Sequence, residues 1–127
     1  MTSLLFSFQG RINRAKFWLV HVGLVVVEAI VLSALGGGAA IMSGDYEQVF
    51  VVFGGAAGVV WTIVGVLAFW ISLAVGVKRW HDRNKTGWWM LILLVPVIGG
   101  LWYLIECGFL KGTTGPNIYG PDPLVVT

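Results

Sequence analysis

Three long apolar blocks constrain this chain more than any other feature of its sequence. Residues 17–35, 49–77 and 88–110 are nearly free of charge, and each is close to or above the roughly 20 helical residues that cross a bilayer core. Only 11% of the residues are charged and 57% are hydrophobic, whereas about 25% are charged in an average soluble domain. The sequence therefore predicts a single all-α integral-membrane domain, residues 1–127.

We expect three transmembrane helices, at about 17–35, 50–77 and 88–110, followed by a turn-rich tail over 111–127. A short apolar run before Gly10 is too brief to cross, and we expect it to lie in the membrane interface. The first block begins after sixteen residues and carries Glu28, which argues against a cleavable signal peptide. Gly54, Gly55 and Gly58 lie near the start of the second block, and predict either that its spanning part begins there or that the long helix tilts.

The distribution of cations predicts the orientation. The N-terminal segment carries Arg11, Arg14 and Lys16, the connection 36–48 carries none, and the connection 78–87 carries four. Cationic segments stay in the cytoplasm, so we expect the N-terminus and the 78–87 turn inside, and the 36–48 loop and the C-terminus outside. Pro96 leaves a second topology open, in which 88–110 forms a re-entrant hairpin that returns the tail to the cytoplasm.

The turn from Arg79 to Trp89 holds the densest charge in the chain. One interpretation is topological: cations hold the turn inside and tryptophans sit at the interface. A second is a site for anionic headgroups, in which arginines four residues apart fork to phosphate and the amides at the start of the next helix add donors. A third is chemistry at the adjoining histidine and aspartate. The candidate residues are Arg79, His81, Asp82, Arg83, Thr86, Gly87, Trp88 and Trp89.

Arg11 and Arg14 are expected on the same membrane face as this turn. Each such cation adds about 1 kcal/mol of attraction to anionic lipid. Anionic phospholipid is therefore the expected partner, with an acidic segment of a membrane protein or a second copy of the chain as alternatives. The basic charge is too sparse to indicate nucleic acid.

The candidate polar side chains inside the apolar blocks are His21, Glu28, Thr62 and Glu106. In the three-span topology, Glu28, Thr62 and Glu106 lie in the outer half of the bilayer. Because a carboxylate facing lipid costs roughly 3 kcal/mol, both acids should face the bundle interior. There they either fix helix packing by hydrogen bonds or form a proton or cation relay.

Metal and cofactor chemistry find no support in the sequence. Cys107 is the single cysteine, so we expect a packed thiol and no cysteine metal cluster. Asn117 and Asp122 offer too few oxygens for Ca²⁺. No phosphate-binding loop, nucleophile elbow or paired-histidine motif is present, so the sequence predicts no metal, no cofactor and no enzyme.

Three separated motifs, Phe8 to Trp18, Arg79 to Trp89 and Gly115 to Pro123, occur in this order along the chain. The set resembles the family of small bacterial inner-membrane proteins called domain of unknown function 805, over nearly the whole chain. The resemblance implies a multi-pass protein of the bacterial inner (plasma) membrane and carries no established activity. Asn84 stands where the family has glycine, and asparagine enters the left-handed region at small cost.

We therefore predict a non-enzymatic accessory or binding module whose basic and aromatic cytoplasmic face engages anionic lipid or a membrane partner. One alternative is a small transporter or ion-conducting oligomer that uses Glu28, Glu106 and His21. A second alternative is a lipid-acting membrane enzyme that uses His81 and Asp82.

Overall fold

The computed structural model describes residues 2–125, and within that range it contains helices joined by turns and irregular segments, one isolated bridge between Asn117 and Gly120, and no strand. The chain divides into two compact units, one of residues 2–21 with 70–125 and the other Val22–Phe69. The predicted domain and tail also include residues 1, 126 and 127, which lie outside the described residues. Residues 2–125 contain six α-helices, in chain order α1 Thr2–Phe6, α2 Arg14–Ala34, α3 Gly37–Ser43, α4 Tyr46–Gly54, α5 Ala56–Asp82 and α6 Ile98–Tyr103.

Helices α2 and α5 are long and apolar enough to cross a membrane. At about 1.5 Å per residue they extend over about 31 and 40 Å, against a bilayer core of about 30 Å. Only 6% and 22% of the residues in their most apolar windows are buried, which is the opposite of a helix in the core of a soluble domain. Leu19 and Phe69, for example, are 71% and 65% exposed. The prediction of an all-α fold is thus confirmed, and the first two predicted spans are confirmed as long apolar helices.

The second apolar block is split at its glycines. Helix α4 ends at Gly54, Gly55 is extended, and α5 begins at Ala56. At Gly58 an added Cβ would lie 2.0 Å from the carbonyl oxygen of Phe53, so the chain passes too close for any side chain. The prediction that the long spanning helix begins near these glycines is confirmed.

Residues 88–110 do not form the single helix expected for a third span, and among residues 2–125 only α2 and α5 are long and apolar enough to cross a membrane. A 3-10 helix, Gly87–Leu94, leads into a tight turn at Val97 (φ 64°), where the Ile98 amide donates to the Pro96 carbonyl over 2.7 Å. Helix α6 and a π-helical segment, Leu104–Phe109, then run back towards the start of the 3-10 helix. Eight 3-10 residues at about 2 Å each reach only about 16 Å, roughly half of a bilayer core.

The returning limb ends beside the start of the hairpin. The Thr113 amide donates to the Asp82 carbonyl over 2.7 Å, so the tail lies at the same end of its unit as the central turn. The chain path over 88–110 is therefore that of a hairpin, as in the alternative left open by the sequence, and its re-entry into the membrane stays a prediction. The tail is consequently not separated from the N-terminal motif, as the three-span topology required.

A small apolar core supports this end of the protein. It consists of Ile12, Phe17, Val75, Trp80 and Cys107. Cys107 is fully buried, which confirms the prediction of a packed thiol. The short apolar run forms α1, whose Leu4 packs against this core, and Lys78 Nζ donates to the carbonyl oxygen of Ser3 over 2.7 Å. The location of α1 in the membrane interface stays a prediction.

Candidate functional site

Asp82, the last residue of α5, is the centre of a buried ionic cluster. Arg11 approaches Oδ1 through Nε at 3.0 Å and through Nη2 at 2.9 Å, and Arg79 donates from Nη1 to Oδ2. The side chains of Arg11, Arg79 and Asp82 are 1%, 0% and 5% exposed. Buried ions need both a partner of opposite charge and hydrogen bonds for their other donors.

The remaining guanidinium donors meet backbone carbonyls of the hairpin and tail. Arg11 donates from Nη2 to Thr113 over 2.6 Å and from Nη1 to Gly115 over 2.8 Å and to Gly120 over 3.2 Å. Arg79 donates to Cys107 over 2.7 Å and to Leu110. Two arginines from two motifs thus fasten the C-terminal tail to the end of α5. Neither guanidinium group is at the surface, where a lipid headgroup would meet it.

Asp82 lies beyond the apolar part of α5, and two opposing effects determine its charge state. Burial raises the pKa of Asp82, and the guanidinium groups of Arg79 and Arg11 act against that rise. An ionised Asp82 leaves the three side chains with one surplus positive charge.

His81 anchors the tail from the other side of the same helix end. Its ring stacks on Tyr119 with 3.9 Å between centroids and 4° between planes, and Nδ1 lies 3.0 Å from the Gly10 carbonyl oxygen. Burial lowers the pKa of His81, which favours a neutral ring that donates to Gly10 from Nδ1. Asn117 adds a bond from Nδ2 to the His81 carbonyl over 2.9 Å.

The tail is folded by its own turns. Asp122 accepts the amides of Gly115 and Leu124, each over 2.9 Å, and these bonds lower the pKa of its carboxyl group. Asn117 accepts the Tyr119 amide over 2.9 Å. Among residues 2–125, no group of three or more histidine, cysteine, aspartate or glutamate side chains is placed to hold a metal ion.

Glu106 lies with the cations of the central turn. It pairs with Lys85 and, at 3.3 Å, with Arg83, and it accepts a bond from Trp102 Nε1 over 3.0 Å. Lys85 Nζ also lies 4.7 Å from the centre of a Trp89 ring. The prediction that Glu106 falls in the outer half of the bilayer is therefore wrong, because the hairpin brings it back beside residues 83–85.

The other predicted residues of the central turn are spread over its surface. Trp88 is 78% exposed, and Thr86 caps the 3-10 helix without a side-chain bond. At Gly87 an added Cβ would lie 2.7 Å from a methyl group of Val77. Asn84 has φ 59°, which confirms that asparagine supports the left-handed turn. Their binding of a headgroup stays a prediction.

Two of the polar residues predicted inside the membrane, His21 and Thr62, make contacts within their own helices. His21 Nδ1 lies 2.9 Å from the Phe17 carbonyl oxygen, one helical turn earlier. The Thr62 hydroxyl donates to the Gly58 carbonyl over 2.8 Å. Glu28 is half-buried in the Val22–Phe69 unit.

An open cavity of about 430 Å³ lies against the buried cluster. Arg14 and Lys111 bring positive charge to it, Trp18 and Phe109 bring aromatic surface, and Asp82 lies in its lining. Arg14 and Trp18 are four residues apart, and this spacing places them on one face of α2. Trp18, Lys111 and Phe109 were not among the site residues predicted from the sequence, although that helical spacing was a usable signal for Trp18.

Comparison with known proteins agrees with the order of the motifs. The profile of a family described as "Protein of unknown function (DUF805)" matches residues 5–121. The chain belongs to this family. Inner membrane protein YhaH of Escherichia coli K12 is 34% identical, over 92% of this chain and 87% of the relative. Inner membrane protein YhaI and uncharacterized protein YiiR of the same strain are each 30% identical, over 92% and 93% of this chain and 86% of each relative.

No solved structure matches the chain. Membership of the family, the names of two of these relatives and the two long apolar helices together support an integral membrane protein.

Replacement of Asp82 by asparagine should strongly destabilise the protein. Removing one partner from a buried ionic cluster costs about 3–5 kcal/mol, and here two buried guanidinium groups lose their carboxylate. We expect a large fall in Tm, measured in detergent by tryptophan fluorescence. Arg11→Lys should cause a smaller fall in Tm, because lysine keeps the charge but lacks the planar fork of the guanidinium group. Glu47→Gln, at an exposed position, is the matched control. An unchanged Tm for Asp82→Asn would contradict the central role of this cluster.

Acid should weaken the anchoring of the tail through His81. Its pKa is lower in the folded protein than the ordinary value of about 6.5. The stabilisation is therefore complete above pH 6.5 and is lost as the pH falls from 6.5 through the folded-state pKa. Tm measured from pH 7.5 to 5.0 should fall more steeply for the parent than for His81→Phe, which keeps an aromatic ring against Tyr119. Equal slopes would assign the acid sensitivity to other groups.

Proposed function

We propose that this protein is a non-enzymatic accessory module of the inner membrane that binds an anionic phospholipid headgroup in the cavity beside Asp82. The observation that carries the proposal is the pairing of Arg14 and Lys111 with the aromatic side chains of Trp18 and Phe109 in one open cavity. Cationic side chains attract the phosphate, and the aromatic walls suit the apolar atoms next to it.

Of the arginines expected from the sequence to bind a headgroup, Arg14 lines this cavity, and Lys111 joins it there. The donors of Arg11 and Arg79 are directed to Asp82 and to backbone carbonyls. Arg14 and Lys111, in contrast, are exposed, and Arg14 donates to the Phe109 carbonyl from Nη1 over 2.7 Å. That bond orients the guanidinium group and leaves Nη2 and Nε for a phosphate. We therefore assign headgroup binding to Arg14 and Lys111.

The cavity walls also suit a lipid. Trp18 Nε1 donates to the Gly108 carbonyl over 2.9 Å, and its ring lies 5.8 Å from that of Phe109. This bond fixes the indole of Trp18 beside the cavity. Leu124 adds an aliphatic surface from the tail. Lipid-binding sites at a membrane interface combine such an amphipathic wall with basic residues.

The charge distribution supports an orientation with two crossings. All eight lysine and arginine residues of the chain lie between Arg11 and Lys16, between Lys78 and Lys85, or at Lys111. The connection from α2 to α5 carries none of them and contains Asp45 and Glu47. We infer that α2 and α5 cross the membrane, that the cationic segments face the cytoplasm, and that the tail joins them there. This replaces the expectation of a C-terminus on the outer side.

Site-directed labelling tests this orientation. In a Cys107→Ser background, single cysteines at Thr2, Ser43 and Thr114 occupy exposed positions. A membrane-impermeant maleimide added to spheroplasts should label the cysteine at 43 and leave those at 2 and 114 unlabelled until the cells are lysed. Labelling at 114 without lysis would restore the three-span orientation.

Native mass spectrometry of the gently solubilised protein tests the headgroup site. Two cations at about 1 kcal/mol each correspond to about a 30-fold loss of affinity. We expect the parent to retain phosphatidylglycerol and the Arg14→Gln, Lys111→Gln double variant to lose it.

Lys16→Gln is the matched control, since Lys16 is exposed and does not line the cavity. Equal retention by the parent and the double variant would refute this site. Equal losses in the double variant and in Lys16→Gln would indicate nonspecific attraction.

A further inference from the structure

The carboxylate in the cavity lining is closed to a ligand. Asp82 lines the cavity, but its side chain is only 5% exposed and both of its oxygens bind buried guanidinium groups. A Cβ at Gly112 would lie 1.9 Å from Oδ2 of Asp82, so the backbone of Gly112 packs directly against this oxygen. Asp82 therefore accepts hydrogen bonds from the protein alone.

Backbone carbonyls of the lining are occupied as well. The Gly108 carbonyl accepts the indole N–H of Trp18 over 2.9 Å, and the Phe109 carbonyl accepts Nη1 of Arg14 over 2.7 Å. The Lys111 carbonyl accepts a guanidinium N–H from the central turn. A headgroup that carries its own donor, such as a hydroxyl or an amine, would find these acceptors already taken.

The polar groups that the lining leaves unpaired are donors. Asn13 accepts the Lys16 amide on Oδ1 over 2.9 Å, so the group that remains is its Nδ2 amide, which only donates. Arg14 retains Nε and Nη2. Lys111 is exposed, and neither a hydrogen bond nor an ion pair with residues 2–125 engages its ammonium group. Asn13, Arg14 and Lys111 all line the cavity.

Positive charge exceeds negative charge around these donors. Four cations and two carboxylates line the cavity or join its lining to the buried cluster and the tail: Arg11, Arg14, Arg79, Lys111, Asp82 and Asp122. Arg83, which also contacts the lining, is paired with Glu106. Two surplus positive charges remain, and a phosphomonoester carries between about −1.5 and −2 at pH 7.

We propose that the cavity recognises a phosphomonoester, a phosphate with a single ester bond, as in phosphatidic acid. Its three terminal oxygens only accept hydrogen bonds when ionised, and they match the donors of Arg14, Lys111 and Asn13. A phosphodiester has two free oxygens and a single charge. This inference rests on the proposed function and deepens it from anionic lipid to phosphomonoester lipid.

The experiment compares phosphatidic acid with phosphatidylmethanol of the same acyl chains. Both are anionic, and the methyl ester removes one terminal oxygen and one ionisation. Native mass spectrometry of the full chain with each lipid gives the two affinities, with phosphatidylcholine as the background. Because a hydrogen bond to a charged group is worth about tenfold in affinity or more, we expect phosphatidic acid to bind about tenfold more tightly. Phosphatidylglycerol should bind no more tightly than phosphatidylmethanol, because the lining has no acceptor for its hydroxyls.

The outcomes separate this inference from the proposed function. Equal binding of phosphatidic acid and phosphatidylmethanol, both above phosphatidylcholine, would overturn recognition of the phosphomonoester and leave the anionic-lipid site standing. Tighter binding of phosphatidylglycerol than of phosphatidic acid would do the same. Binding of none of them above phosphatidylcholine would overturn both proposals.

Asn13→Asp tests the position of the terminal phosphate. Aspartate is as good a helix N-cap as asparagine, so the variant keeps the start of α2 and replaces the Nδ2 donor with a negatively charged acceptor. We expect it to abolish the preference for phosphatidic acid over phosphatidylmethanol. Lys16→Gln, the matched control, makes the same change of one charge unit at an exposed position outside the lining, and it should leave the preference intact. Equal preferences in the two variants would overturn the placement of the phosphate beside Asn13.

A displacement arm identifies the source of the phosphate. Soluble glycerol phosphate carries the same phosphomonoester without acyl chains. We expect it to leave phosphatidic acid bound at millimolar concentration, since the aromatic and aliphatic walls of Trp18, Phe109 and Leu124 contact the apolar part of a lipid. Displacement at that concentration would overturn the assignment to a lipid and reassign the cavity to a free phosphate ester.

Discussion

A carboxylate buried between two guanidinium groups holds three distant parts of this chain together. Arg11 precedes the first long helix, Arg79 and Asp82 end the second, and the carbonyls that satisfy the arginines belong to the hairpin and tail. An isolated buried ion is costly, and a cluster in which every charge has partners avoids most of that cost. The cluster is therefore satisfied only when all of these segments are in place, which ties the tail to the helix ends.

This arrangement separates two uses of positive charge that look alike in the sequence. Arg11 and Arg79 have fully buried side chains that bind the protein itself, whereas Arg14 and Lys111 remain exposed beside an aromatic-lined cavity. Glu106 also binds the protein itself, through ion pairs with Lys85 and Arg83. A relay through Glu106 would need the carboxylate to exchange protons, and two cationic partners favour its ionised form.

The hairpin shows why length and composition alone predicted one continuous helix over 88–110. Residues 88–110 are as apolar as a spanning helix, so composition could not distinguish one long helix from two short limbs. The decision came from local geometry at Val97 and from a close approach at Gly99, where an added Cβ would lie 1.7 Å from the Ile92 carbonyl oxygen. Such contacts depend on which carbonyl lies opposite the glycine, and the sequence does not specify that.

By itself the sequence determined the helical membrane class, the two long apolar helices, the buried thiol at Cys107 and the left-handed turn at Asn84. These features follow from hydrophobicity and from backbone preferences that act within a few residues. It also identified the three motifs that form the site. Only the tertiary structure decided that Arg11 and Asp82, 71 residues apart, are partners, and that Arg14 and Lys111 share a cavity. Long-range pairing of charges depends on how the chain folds back, and one sequence read locally cannot distinguish an arginine that binds a carboxylate from one that faces lipid.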